Sequence, residues 1–217
     1  MRLYIDSAQI LVVESLMKTG LFYGVTTNPL ILREAGLSMS GLSDFAHRVL
    51  DLGGREVFFQ SWGEDGATLY RHGQQLARFD SDVVVKLPAT RDGLEAASRL
   101  AGEGARVCVT AVFAPFQAAL AASAGAAYVA PYLGRMTDAG RDGHDMISQM
   151  AESLRNTKSL TEILAASVRT PEDVVRLARN GVRCVTLSPP VAERLFQEPL
   201  TLEAARAFEA AARKMDT

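Results

Sequence analysis

Short apolar runs alternate with longer amphipathic segments along this chain. Runs rich in Val, Ile, Phe and Tyr cover residues 3–6, 23–27, 56–61, 82–87, 106–112, 128–132, 163–167 and 183–187, with the length and composition of strands. Between and after them, Ala/Leu/Arg-rich stretches of helical period cover 10–18, 43–52, 66–78, 93–104, 115–124, 145–154, 171–180 and 190–196. The helical reading is sharpened by caps: Thr170-Pro171-Glu172-Asp173 places Thr at an N-cap, Pro at the first helical position and acids in the first turn. Gly104, Gly125 and Gly181 stop three of the helices just before the next strand. Strict alternation of strand and helix predicts right-handed crossovers and a parallel sheet, and eight units close into a (β/α)8 TIM barrel. An open doubly wound sheet competes, but no Gly-rich first turn supports it. A ninth helix is expected at 201–215, where Leu202, Ala205, Phe208, Ala212 and Met215 share a face. This stripe must be covered by the helix's own barrel or by a neighbouring subunit, and residues 1–217 form one domain.

Composition narrows the partners. With 48% hydrophobic and 22% charged residues, the chain has the make-up of a soluble globular domain. A formal charge of −2 with no block of Lys or Arg predicts no nucleic-acid partner. No apolar run spans a bilayer, so no membrane association is expected, and residues 1–6 enter strand-like sequence without a signal segment. The cytoplasm is the expected compartment. Cys108 and Cys184, flanked by Val107, Val109 and Val185, read as small buried hydrophobes. His47, His72 and His144 are scattered, so no metal is expected, and the glycine patterns of dinucleotide and triphosphate sites are missing.

Lys86 stands out because it ends the apolar run Val83-Val84-Val85, whereas Lys18, Lys158 and Lys214 lie in polar or terminal surroundings. Burial disfavours the charged form of an amine, and an uncharged amine attacks carbonyls to form a Schiff base. The alternative is a lysine that snorkels to water or pairs with Asp82 or Asp6. In a barrel, chemistry collects at the C-terminal ends of strands. The polar residues there are Asp6, Thr27, Asn28, Gln60, Lys86, Thr110, Tyr132, Arg135, Ser167 and Arg169. Singly they have ordinary readings: Asp6 as a helix cap, Asn28 as a turn former, Thr110 as a backbone partner, Arg135 as a surface charge. As a set they suit aldol chemistry on a phosphorylated sugar. The amine makes an iminium, Asp6 takes a hydroxyl proton, Thr110, Gln60 and Tyr132 hold a water, and Arg135 with Ser167 grips a phosphate.

The stretches Gly24-Val25-Thr26-Thr27-Asn28-Pro29, Val83-Val84-Val85-Lys86-Leu87-Pro88, Thr110-Ala111-Val112-Phe113, Ala127 to Arg135 and Leu164-Ala165-Ala166-Ser167 together resemble the short single-barrel transaldolases and fructose-6-phosphate aldolases. The resemblance implies that Lys86 is the Schiff-base lysine, that Asp6, Thr27 and Asn28 contact the sugar, that Thr110 positions the water, and that Arg135, Ser167 and Arg169 serve the phosphate. It also implies no metal or organic cofactor, and a homo-oligomer, commonly a decamer, in which the terminal helix packs on a neighbour. Where transaldolases resemble one another in Glu and Phe, this chain has Gln60 and Tyr132, as the aldolases do. The expected activity is therefore cleavage of fructose 6-phosphate to dihydroxyacetone and glyceraldehyde 3-phosphate, and the reverse. Transaldolase is the alternative, and a silent barrel used for binding or assembly is the second. Phe59, Trp62, Phe113 and Phe116 depart from the family's usual residues around Gln60 and after Thr110, and the sequence leaves open whether such bulk narrows or reshapes the donor pocket.

Overall fold

The computed structural model describes residues 1–215; residues 216 and 217 of the expected domain lie outside them. Among the described residues, eight parallel strands form a ring: β1 (Arg2–Asp6), β2 (Phe22–Thr26), β3 (Glu56–Gln60), β4 (Val83–Pro88), β5 (Val107–Val112), β6 (Tyr128–Pro131), β7 (Glu162–Val168) and β8 (Cys184–Leu187). They pair in sequence order, and β8 closes on β1, so the architecture is a (β/α)8 barrel. The helices are α1 (Ile10–Met17), α2 (Pro29–Glu34), α3 (Leu42–Asp51), α4 (Gly66–Ala77), α5 (Arg91–Gly102), α6 (Phe116–Ser123), α7 (Leu133–Asp138), α8 (Gly143–Asn156), α9 (Pro171–Arg179), α10 (Pro189–Arg194) and α11 (Pro199–Arg213). No helix among the described residues is long and apolar enough to cross a membrane.

The caps act as the sequence suggests. Thr170 Oγ1 accepts the Asp173 N–H, and Asp173 accepts the Thr170 N–H, closing a capping box on α9. Gly104, Gly125 and Gly181 take φ of 88°, 74° and 83°, the left-handed conformation that ends a helix at low cost in glycine. Two helices were not expected, α2 and α7. Each has six residues, too few to display a 3.6-residue period, and each begins at a strand-end residue, Asn28 or Tyr132.

The apolar residues divide into two cores. The larger fills the space between sheet and helices. The smaller fills the barrel itself, with Tyr4, Phe58, Val84, Cys108, Tyr128, Leu164 and Cys184 contributed by alternate positions of the strands. Below this layer, at the strand N-termini, lies an unanticipated polar plug. Glu56, 1% exposed, accepts from Tyr4 Oη (2.7 Å), Tyr128 Oη (2.8 Å) and Arg106, while Glu162 pairs with Arg2 and Arg183. Burial and the Glu56 carboxylate push the Tyr4 phenol far up, and burial pushes Tyr128 up to about 12. The plug seals one end, leaving the other as the mouth. α11 buries none of its residues against the barrel, with Leu200 and Phe208 more than 70% exposed.

Candidate active site

One alternation above the apolar layer, the inward positions turn polar: Asp6 follows Tyr4, Gln60 follows Phe58, Lys86 follows Val84, Thr110 follows Cys108, and Thr186 follows Cys184. Register aligns Asp6 with Thr26 and Gln60 with Lys86. A cavity of about 130 Å³ opens here, lined by Asp6, Thr26, Asn28, Lys86, Tyr132, Arg135, Ser167 and Thr186, with Ala130, Leu164 and Ala166 as apolar walls. It stands at the C-terminal ends of the strands, where a barrel presents side chains from several elements to one point.

Lys86 is 5% exposed, and its Nζ donates to the Thr27 carbonyl at 2.7 Å. It neither snorkels nor pairs as the alternative reading would have it. Asp6 instead accepts from Thr26 Oγ1 (2.7 Å), and Asp82 precedes the opposite end of β4. Since Thr26 gives its single proton to the carboxylate, Thr186, 2.6 Å from Thr26 Oγ1, must donate to Thr26. This Thr186–Thr26–Asp6 chain fixes the carboxylate. Across the cavity, the hydroxyls of Thr110 and Tyr132 lie 2.9 Å apart, and the Arg135 guanidinium sits 4.8 Å from the Tyr132 ring centroid.

Two bulges re-aim the rim. β5 and β7 shift register between Val109 and Val112 and between Ala165 and Val168, and the inserted residues Ala111 and Ser167 both take φ of 56°. Such a conformation costs a non-glycine residue about 1–2 kcal/mol, so the surrounding contacts must hold it. An isolated parallel bridge joins Tyr132, just beyond β6, to Ala166 on β7, and Ser167 reaches the cavity wall.

The other expected residues are placed as follows. Asn28 lines the cavity and also caps α2, accepting the N–H groups of Leu30 and Ile31, so its ordinary and functional readings coexist. Thr27 does not offer its hydroxyl to the cavity: Oγ1 donates to the Phe58 carbonyl at 2.8 Å, and the backbone oxygen serves Lys86. Thr110 is fully buried behind Tyr132, and Gln60 lies beside Lys86 rather than on the cavity wall. Arg169 turns away to Asp138 at 2.5 Å and is exposed. Thr26 and Thr186 escaped sequence reasoning because threonine is an ordinary strand residue, although both sit at the alternation that carries Asp6 and Lys86 inward.

None of the four aromatic residues that depart from the family's pattern lines the cavity. Phe59 faces the helices, edge-on to Phe45 and Phe79; Trp62 packs on His72; Phe116 is 67% exposed. Only Phe113 touches a wall residue, edge-on to Tyr132 at 5.5 Å. The cysteines are free and buried, and burial pushes the Cys108 thiol up to about 12 against the opposing field of Lys86. No thiolate competes with the amine.

Residues 3–217 match the family model described as transaldolase/fructose-6-phosphate aldolase. A probable transaldolase of Phenylobacterium zucineum is 39% identical over 208 residues, 96% of this chain and 94% of its own. Another, from a Caulobacter species (strain K31), is 40% identical over 93% of this chain and 91% of its own. A solved mandelate oxidase superposes with a TM-score of 0.57 at 15% identity, covering 87% of this chain and 64% of that one; it reports the barrel fold alone. On the extent of the family match and the identity of these relatives, the chain belongs to the transaldolase/fructose-6-phosphate aldolase family.

Proposed function

We propose that the protein transfers a dihydroxyacetone unit between sugar phosphates through a Schiff base on Lys86. The observation that carries the reading is a buried lysine nitrogen on a cavity that also holds a carboxylate, a phenol and a guanidinium. The relatives named as probable transaldolases support transfer over the simple cleavage expected from Gln60 and Tyr132 alone.

In this reading the uncharged Nζ adds to the ketone carbon of the donor, and loss of water gives an iminium. Asp6 then takes the proton from the hydroxyl whose carbon becomes the aldehyde, the adjacent carbon–carbon bond breaks, and its electron pair enters the iminium as an enamine. Arg135 and Ser167 hold the phosphate, with Arg135 supplying charge-assisted hydrogen bonds, while Asn28 faces the sugar. The Tyr132 hydroxyl, backed by Thr110 Oγ1 at 2.9 Å, holds the water that leaves and returns. The enamine next attacks an acceptor aldose, and hydrolysis frees Lys86. No step calls for a metal or an organic cofactor.

A second reading is favoured by the Thr110–Tyr132 contact and by the amide at Gln60, which cannot donate a proton as a carboxylic acid would. If the phenol protonates the enamine promptly, free dihydroxyacetone leaves and the enzyme is a fructose-6-phosphate aldolase.

Borohydride reduction in the presence of dihydroxyacetone should leave a stable adduct on Lys86, located by peptide mass spectrometry. Lys86→Ala should lose both adduct and turnover while keeping the circular-dichroism spectrum of the folded barrel. No adduct on the unsubstituted protein would sink the Schiff-base reading and leave only the binding or assembly role. Fructose 6-phosphate with and without erythrose 4-phosphate then separates transfer from cleavage: transfer requires the acceptor, whereas cleavage releases dihydroxyacetone without it.

A further inference from the structure

Among the described residues, one buried side-chain polar atom has no partner: Nδ1 of His144, on α8. The ring is oriented by its other nitrogen, with Nε2 2.9 Å from Asp173 Oδ1 on α9. The remaining oxygen of that carboxylate, Oδ2, accepts two backbone N–H groups, those of Arg169 (3.2 Å) and Thr170 (3.1 Å). A capping box uses only the second. The additional bond reaches two residues from Ser167, whose left-handed backbone must be held by its surroundings. Burial acts to raise the Asp173 carboxyl, but the hydrogen bonds from His144 and the backbone outweigh it and hold the group below its ordinary range.

We propose that His144 and Asp173 position the phosphate loop: the carboxylate clamps residues 169 and 170, sets Ser167 facing Arg135, and is itself held by the imidazole. Both are positioning residues for the phosphorylated end of the substrate, and neither lines the cavity that holds Lys86. The inference rests on the reading of Arg135 and Ser167 as the phosphate grip.

Thr170→Ala provides the internal control. It removes the other half of the capping box, the Thr170 Oγ1 that accepts the Asp173 N–H at 3.1 Å, and so weakens the start of α9 while keeping both backbone N–H groups that the carboxylate clamps. Asp173→Ala should raise KM for fructose 6-phosphate about tenfold or more, the scale of a lost hydrogen bond to a charged group. His144→Leu should raise it by a smaller factor, Asp173→Asn should restore part of the loss through its carbonyl oxygen, and Thr170→Ala should leave it unchanged. Borohydride trapping of dihydroxyacetone, which carries no phosphate, should be equal in all four.

An unchanged KM in Asp173→Ala, or an equal rise in Thr170→Ala, would overturn the proposal. Should Asp173→Ala fail to fold, His144→Leu decides by the same comparison. Failure of the unsubstituted protein to trap dihydroxyacetone would instead overturn the functional reading. Calorimetric titration of the same variants with inorganic phosphate still tests the clamp in that case, a uniform affinity counting against it.

Discussion

Tyr132 makes three different contacts: its hydroxyl meets Thr110, its ring edge meets Phe113, and its face carries the Arg135 guanidinium. Removing the hydroxyl alone separates its chemistry from its packing. Tyr132→Phe should shift the product ratio from free dihydroxyacetone toward transfer by about tenfold or more, as expected when an acid–base group is lost. An unchanged ratio in the acceptor assay would remove the phenol from that role. The same variant leaves Thr110, fully buried, without its partner, so stability should fall by about 1–3 kcal/mol. At the sealed end, Glu56 bears a different burden. Glu56→Ala removes the buried acceptor shared by Arg106, Tyr4 and Tyr128 and should cost about 3–5 kcal/mol, read from the urea midpoint. Folded material should still form the Lys86 adduct, because an apolar layer separates plug from cavity. Lys86 was legible in the sequence as a charge ending an apolar run. Glu56 was not: it reads as the polar start of a strand, and only ring closure brings it against Tyr4 and Tyr128.

At the scale of elements, the eight strands and the long helices were legible because their periods extend over enough residues to be distinguished. The six-residue helices α2 and α7 were not, although Asn28-Pro29 carries a helix start signal that is equally a turn signal. The bulges in β5 and β7 left no sequence mark either, since Ala111 and Ser167 are not residues that favour a left-handed backbone. Consequently the strand-end positions were identified, but their directions were not: Arg169 turns outward to Asp138, while Thr26 and Thr186 turn inward. Gly134, in α7, shows how tightly α7 meets the C-terminal end of β7 and the residue after it. A Cβ there would stand 2.5 Å from both the Ser167 carbonyl oxygen and Arg169 Nε, and the carbonyl belongs to backbone that cannot swing aside. Gly134→Ala should therefore cost about 1–3 kcal/mol by overpacking. It should also raise KM for phosphorylated substrates more than it impairs dihydroxyacetone trapping, which steady-state kinetics beside borohydride reduction would reveal.

On the scale of the whole molecule, the barrel is a vertical stack: an ionic plug, an apolar layer, a polar layer, and a rim made by α2, α7 and the bulges. α11 lies outside this scheme, with its stripe uncovered by the barrel. If a neighbouring subunit covers the stripe, deleting residues 199–217 should lower the helical circular-dichroism signal only by the share of α11 and lower the sedimentation mass by more than the deleted segment accounts for. An unchanged number of subunits would assign the helix no part in assembly. Because β8 closes on β1, the native sheet offers no backbone edge to another chain. Copies cannot meet by adding a strand to this sheet, the route by which edge-to-edge fibres begin. Withdrawing any one strand would create two templates at once, so resistance to aggregation should vanish in a single step with the integrity of the ring.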